Sequence, residues 1–157
     1  MDVQAMIEAL NKSLAIEYAS VIQSYQHSFL IQGTEREYLA GFFRNMGKHA
    51  SEHIERLGQK IAALGGLPTV EPATIRQASD VQEMLRQALE LEREALAAHH
   101  NAFKLAAKDE SAEETALRVM LEDLIDAEQR DIDNLEMLLS SKRPAVTVKE
   151  VRLKQAP

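Results

Sequence analysis

Glu17, His53, Glu92, Glu128 and Asp131 interrupt stripes of apolar residues at positions where burial is expected. Glu17 lies between Leu14 and Val21, His53 between Met46 and Leu57, and Glu92 between Leu89 and Leu96. Glu128 and Asp131 lie between Leu124 and Leu135. His49 stands one helical turn before His53. Burying a carboxylate costs several kcal/mol unless it is compensated. Glu17, Glu92, Glu128 and Asp131 at one level would bring four negative charges together, and no Lys or Arg shares these stripes at that depth. Two divalent cations would balance them. A neutral His53 completes an oxygen-rich set containing imidazole, which suits iron, manganese or zinc. The i, i+3 spacing of Glu128 and Asp131 turns both to one helix face, as two ligands of one cluster require.

Each of these residues taken singly also fits a side chain that reaches solvent at an opening of a bundle. Their coincidence on four separate segments is what points to a metal. His99 lies two turns beyond Glu92 on the same stripe, and is expected as a hydrogen-bonded core histidine or part of an access route. His27 and His100 read as surface residues. Gly41, Gly47 and Gly58 interrupt the second segment at about 1 kcal/mol each relative to Ala, which close packing against another helix or subunit would explain.

The elements that must position these side chains are helices. Leu, Ala, Glu, Gln, Met and Arg dominate, and all four Pro lie outside three long stretches. The 3.6-residue period predicts helices over about Val3–Ile31, Glu35–Leu64, Ser79–Lys108 and from Ser111 to near Lys142. Thr34 with Glu37 resembles a capping box, as does Ser111 with Glu114. Gly65-Gly66-Leu67-Pro68 ends the second helix. Short turns make the first and second helices one antiparallel hairpin and the third and fourth another. Residues 65–79 are long enough to run back along the bundle. The expected fold is all-α: an antiparallel four-helix bundle with one long crossover over residues 1–141, followed by a short basic tail, 142–157.

The chain has 157 residues, 45% of them apolar and 27% charged, which fits one ordinary domain with a packed core. Cys is absent, which excludes disulfides, thiolate metal sites, iron–sulfur clusters and Cys nucleophiles. No apolar run approaches the ~18 residues of a membrane span, and no signal peptide is read, so a cytoplasmic protein without a membrane partner is expected. The net charge of −7 argues against a general nucleic-acid binder.

With these residues on the page, the chain resembles the ferritin-like superfamily, and bacterioferritin-like proteins most closely, over about residues 5–140. That pattern has one Glu on the first helix, Glu-x-x-His on the second, one Glu on the third and Glu-x-x-His on the fourth. Glu17 matches the first. His53 matches the second, supported by HIERL and the following LGGLP. Glu92 within DVQEMLRQALELE matches the third, and Glu128 within DAEQRDIDNLE the fourth. Two positions depart: Ala50 replaces a Glu, and Asp131 replaces a His. Asp131 still offers oxygen, whereas Ala50 leaves one bridging carboxylate missing. His49, about 40° from His53 around the helix, would substitute with altered geometry. The Met that holds haem falls on Ser51, with Met46 a remote substitute, so haem is not expected.

The resemblance implies a di-iron centre with Glu128 bridging and Glu17, Glu92, His53 and Asp131 terminal. Such a centre would bind Fe(II), reduce O2 or peroxide, and pass Fe(III) on for storage or detoxification within a homo-oligomer. Two other readings stand beside it: a di-metal peroxidase or oxidase that stores nothing, and a non-catalytic helical assembly with a degenerate metal site.

Overall fold

The computed structural model describes residues 1–106 and 111–140, and these form four helices and no strand. They are α1 (Val3–Leu30), α2 (Arg36–Ala63), α3 (Val81–Leu105) and α4 (Ala112–Leu139). The expected end of the third helix near Lys108, the end of the fourth beyond Ser140 and the basic tail lie outside the described residues.

Side-chain oxygens start three of the helices. Asp2, Asp80 and Ser111 accept from the backbone N–H of Ala5, Glu83 and Glu114. The start of α2 departs from expectation, because Thr34 and Glu37 form no capping box and Glu35 caps without a side-chain bond. Arg36 does the joining there. Its guanidinium donates to the carbonyls of Ser28, Phe29 and Ile31, closing the end of α1 from the first residue of α2. Gly33 and Gly65 adopt positive φ, at 93° and 83°, where the chain leaves α1 and α2.

The segment between α2 and α3 runs back along α1. Asn11 holds it at both amide atoms, donating to the Leu67 carbonyl and accepting from the Thr69 N–H. Ala73 N–H donates to the Ala15 carbonyl, and Arg76 N–H to Gln23 Oε1. The crossover therefore returns the chain so that α3 runs parallel to α2 and antiparallel to α1.

The apolar core is divided in two. One half joins Met6, Leu10, Leu14, Leu57, Ile61 and Leu121. The other joins Ile31, Phe43, Met46, Met84, Leu85 and Ile132. Between them lies a polar layer, and it is there that the interrupted stripes meet. The buried face of α1 is itself polar, carrying Ser13, Ser20, Gln23, Ser24, His27 and Ser28. Of the stripe residues, Val21 is only half-buried, and on α2 Phe43 is buried while its neighbour Phe42 is half-buried. Gly47 does permit close packing, since a Cβ there would stand 2.9 Å from the Tyr25 ring. Gly58 faces open space and Gly41 lies near only the Arg44 side chain.

Candidate metal centre

Each helix delivers polar atoms to the layer between the two apolar half-cores. Glu17 of α1 and Glu128 of α4 face each other with His53 of α2 and His99 of α3 between them. His53 Nδ1 lies 3.3 Å from Glu17 Oε1 and 2.9 Å from Glu128 Oε1. His99 Nε2 lies 2.9 Å from Glu17 Oε1 and 3.4 Å from Glu128 Oε1. All four residues are buried. The polygon alternates oxygen and nitrogen. Metal–donor bonds of about 2.0–2.2 Å put neighbouring donors roughly 3–3.5 Å apart, so these four atoms fit around one cation.

A second group shares Glu128. Its ligand atoms, with those of Glu92 and Asp131, lie within 4.8 Å of one another. Ser20 Oγ donates to Glu92 Oε1 at 3.2 Å and fixes that carboxyl from α1. Asp131 is half-buried, and its Oδ2 lies 3.6 Å from Nδ1 of His49. The side chain of His49 is 55% exposed, so it stands at the rim. A cleft of about 260 Å³ between α2 and α4, lined by Glu52, Arg56, Asp123, Asp126 and Arg130, has His53 in its wall. Of the inner group, His53 is the residue that borders it.

Burial and mutual contacts shift the proton affinities of the cluster in opposite directions. Burial pulls His53 down, but hydrogen bonds and charges from Glu128 and Glu17 outweigh it and raise its pKa to about 10. His99 is raised by the same balance. Burial, a hydrogen bond with Glu128 and neighbouring charges push Glu92 well above the carboxylate range, so it keeps its proton. Burial also opposes ionisation of Glu128, yet hydrogen bonds with Glu92, His53 and His99 hold it well below that range. Burial raises Asp131, with His49 opposing.

The structure thus brings Glu17, His53, Glu92, Glu128 and Asp131 into one layer and leaves His49 at its edge. Ala50 is buried and contributes no donor, as its side chain dictates. Met46 belongs to the apolar core, while Ser51 is exposed and bonds to its own helix at the Gly47 carbonyl. His99 is a buried, hydrogen-bonded core histidine, as expected, and the groups it meets are Glu17 and Glu128. His27 differs from expectation: it is not at the surface but buried, with its ring edge-on to Phe43 at 5.2 Å between centroids. Burial lowers its pKa, with Gln87 partly opposing. His100 is exposed, as expected.

A family model for the ferritin-like domain matches residues 7–143. Among solved structures, the chain is similar to a ferritin-like, diiron-carboxylate protein from Bacillus anthracis. The two are 35% identical, the match covers 89% of this chain and 99% of that one, and the TM-score is 0.83. Rhodobacter capsulatus bacterioferritin is 23% identical over 87% of this chain and 84% of that one, with a TM-score of 0.77. At that identity the likeness concerns the fold. Among curated proteins, the nutrient stress-induced DNA-binding protein of Synechococcus sp. is 31% identical over 70 residues, 45% of this chain and 40% of that protein. The DNA protection during starvation protein of Halobacterium salinarum is 31% identical over 75 residues, 48% of this chain and 41% of that protein. The chain spans less than half the length of these curated relatives.

Proposed function

The chain belongs to the ferritin-like domain family, and from that premise we propose that it oxidises Fe(II) at a di-iron centre within its bundle, for iron storage or detoxification. The observation that supports this most directly is the pair of donor groups sharing Glu128. Glu17, His53, His99 and Glu128 would hold one metal, and Glu92, Glu128 and Asp131 the other, with His49 at hand. Iron bound there supplies the electrons that reduce O2 or peroxide. The protein's own part is to orient the donors, to exclude bulk water between two apolar half-cores, and to store protons on His53, His99 and Glu92 that metal displaces. Manganese or zinc also suits this donor set. No helix among the described residues is long and apolar enough to cross a membrane, and a cytoplasmic location is part of this reading. So is a homo-oligomer, which the exposed apolar strip of Ile22 and Phe29 on α1 supports. The net charge of −7 argues against DNA as a partner, although two relatives are named for DNA.

Fe(II) added anaerobically to metal-free protein, followed by O2, tests the reading. About two equivalents per chain and rapid oxygen uptake are expected, the uptake falling at least ~100-fold in Glu128→Ala. One equivalent or none, with oxidation no faster than in buffer, would overturn it. The internal ion pairing favours a second reading, in which His53 and His99 serve as permanent countercharges in a helical assembly without metal. Under that reading, added metal leaves the melting temperature unmoved.

A further inference from the structure

The two donor groups differ in kind. The inner group has two imidazole nitrogens and two carboxylates, and all four residues are buried. The outer group, Glu92, Glu128 and Asp131, is carboxylate alone, half-buried at Asp131, with the exposed His49 at 3.6 Å from it. Imidazole suits zinc and iron, whereas carboxylate suits harder cations such as manganese and magnesium. Four converging donors close a coordination shell, whereas three at a half-open rim leave positions to water.

We propose that the centre is built for two unlike cations: a borderline one such as Zn2+ or Fe2+ in the inner position, and a hard one such as Mn2+ in the outer. The inner position fills first. Iron offered alone fills both, in that order. This rests on the di-metal reading above and says which metal each half prefers. His99 creates the inequality. It doubles the imidazole count of the inner group from α3, while Ala50 withholds a carboxylate from α2. The one shared residue, Glu128, lies against both histidines, at 2.9 Å from His53 and 3.4 Å from His99.

The test uses the full metal-free chain. Zn2+ is titrated anaerobically by calorimetry. Mn2+ is then added to chain carrying one Zn2+ equivalent and followed by electron paramagnetic resonance. The expected result is a first Zn2+ bound at least ~100-fold more tightly than a second, and one Mn2+ per Zn2+-loaded chain with the uncoupled signal of an isolated ion. His99→Gln should weaken the first Zn2+ step by about 100-fold or more and leave the Mn2+ step unchanged. Asp131→Asn, a near-isosteric change at a half-buried position, should do the reverse. Two Zn2+ of equal affinity, Mn2+ that expels Zn2+, or a His99→Gln curve matching the parent would overturn the inequality while leaving a di-metal centre standing. Failure of both metals to bind would remove the di-metal reading along with it.

Discussion

Glu92 and Glu128 share one layer but carry different charge states in the metal-free chain, and substitutions should separate them. Glu92 already holds a proton, so Glu92→Gln replaces one neutral hydrogen-bonding group with another. Its expected cost is below about 1 kcal/mol in metal-free denaturation. Glu128→Gln strips both histidines of a countercharge, and should cost about 3–5 kcal/mol. Equal costs would contradict the assigned proton positions. His53 adds a pH dependence. Its stabilisation is full below the ordinary imidazole value of 6.5 and is lost as pH rises through about 10. The melting temperature of metal-free protein should therefore fall from pH 7 towards 10. Metal must displace these protons, so about two to three should be released per chain on loading at neutral pH, read from calorimetry in buffers of different ionisation heat. Glu17, His53, Glu92, Glu128 and Asp131 were legible in the sequence because each breaks an apolar stripe. His99 was legible as a core histidine, but its meeting with Glu17 was not, because stripe spacing alone does not say which way a side chain leans. Side chains lean towards their own helix N-terminus. In antiparallel α1 and α3, Glu17 and His99 therefore lean towards each other.

Among the elements, α1 has the least visible buried face. Its inward residues are largely Ser, Gln and His, so an apolar period could place the helix but not reveal that His27 was inside. α2 was easier, and its glycines give a paired prediction. Gly58→Ala meets nothing within 4 Å and should stabilise by ~0.5–1 kcal/mol through helix propensity. Gly47→Ala would place a methyl 2.9 Å from the Tyr25 ring, and should destabilise by ~1–3 kcal/mol as α1 and α2 are forced apart. Thermal melts of both variants decide it, and stabilisation by Gly47→Ala would sink the close-packing account. The start of α2 departs from the expected capping box: no side chain caps its first N–H groups, and Arg36, at the first helical position, serves the last carbonyls of α1 instead.

At the scale of the molecule, the long crossover was legible from length and from Gly-Gly-Leu-Pro, but its attachment was not. Asn11 and Gln23 are polar residues on a long helix, and only the fold shows that they hold residues 67–76 against it. Phe29 is 64% exposed on the outer face of α1. If the proposed homo-oligomer packs on this face, Phe29→Glu should lower the sedimenting mass while leaving anaerobic metal stoichiometry intact. An unchanged mass would remove that strip from the proposal.

The helices are two hairpins that meet chiefly through α1 and α3. Glu17 and His53 come from the first hairpin, and His99 and Glu128 from the second. His99 and Glu17 are 82 positions apart. Neither hairpin alone can close the inner group, so a cation seated there acts as a rivet between them. It should leave refolding speed alone, because the donors converge only after the hairpins have docked, and it should slow their separation. How long a molecule survives before opening would then be set by the metal it had acquired.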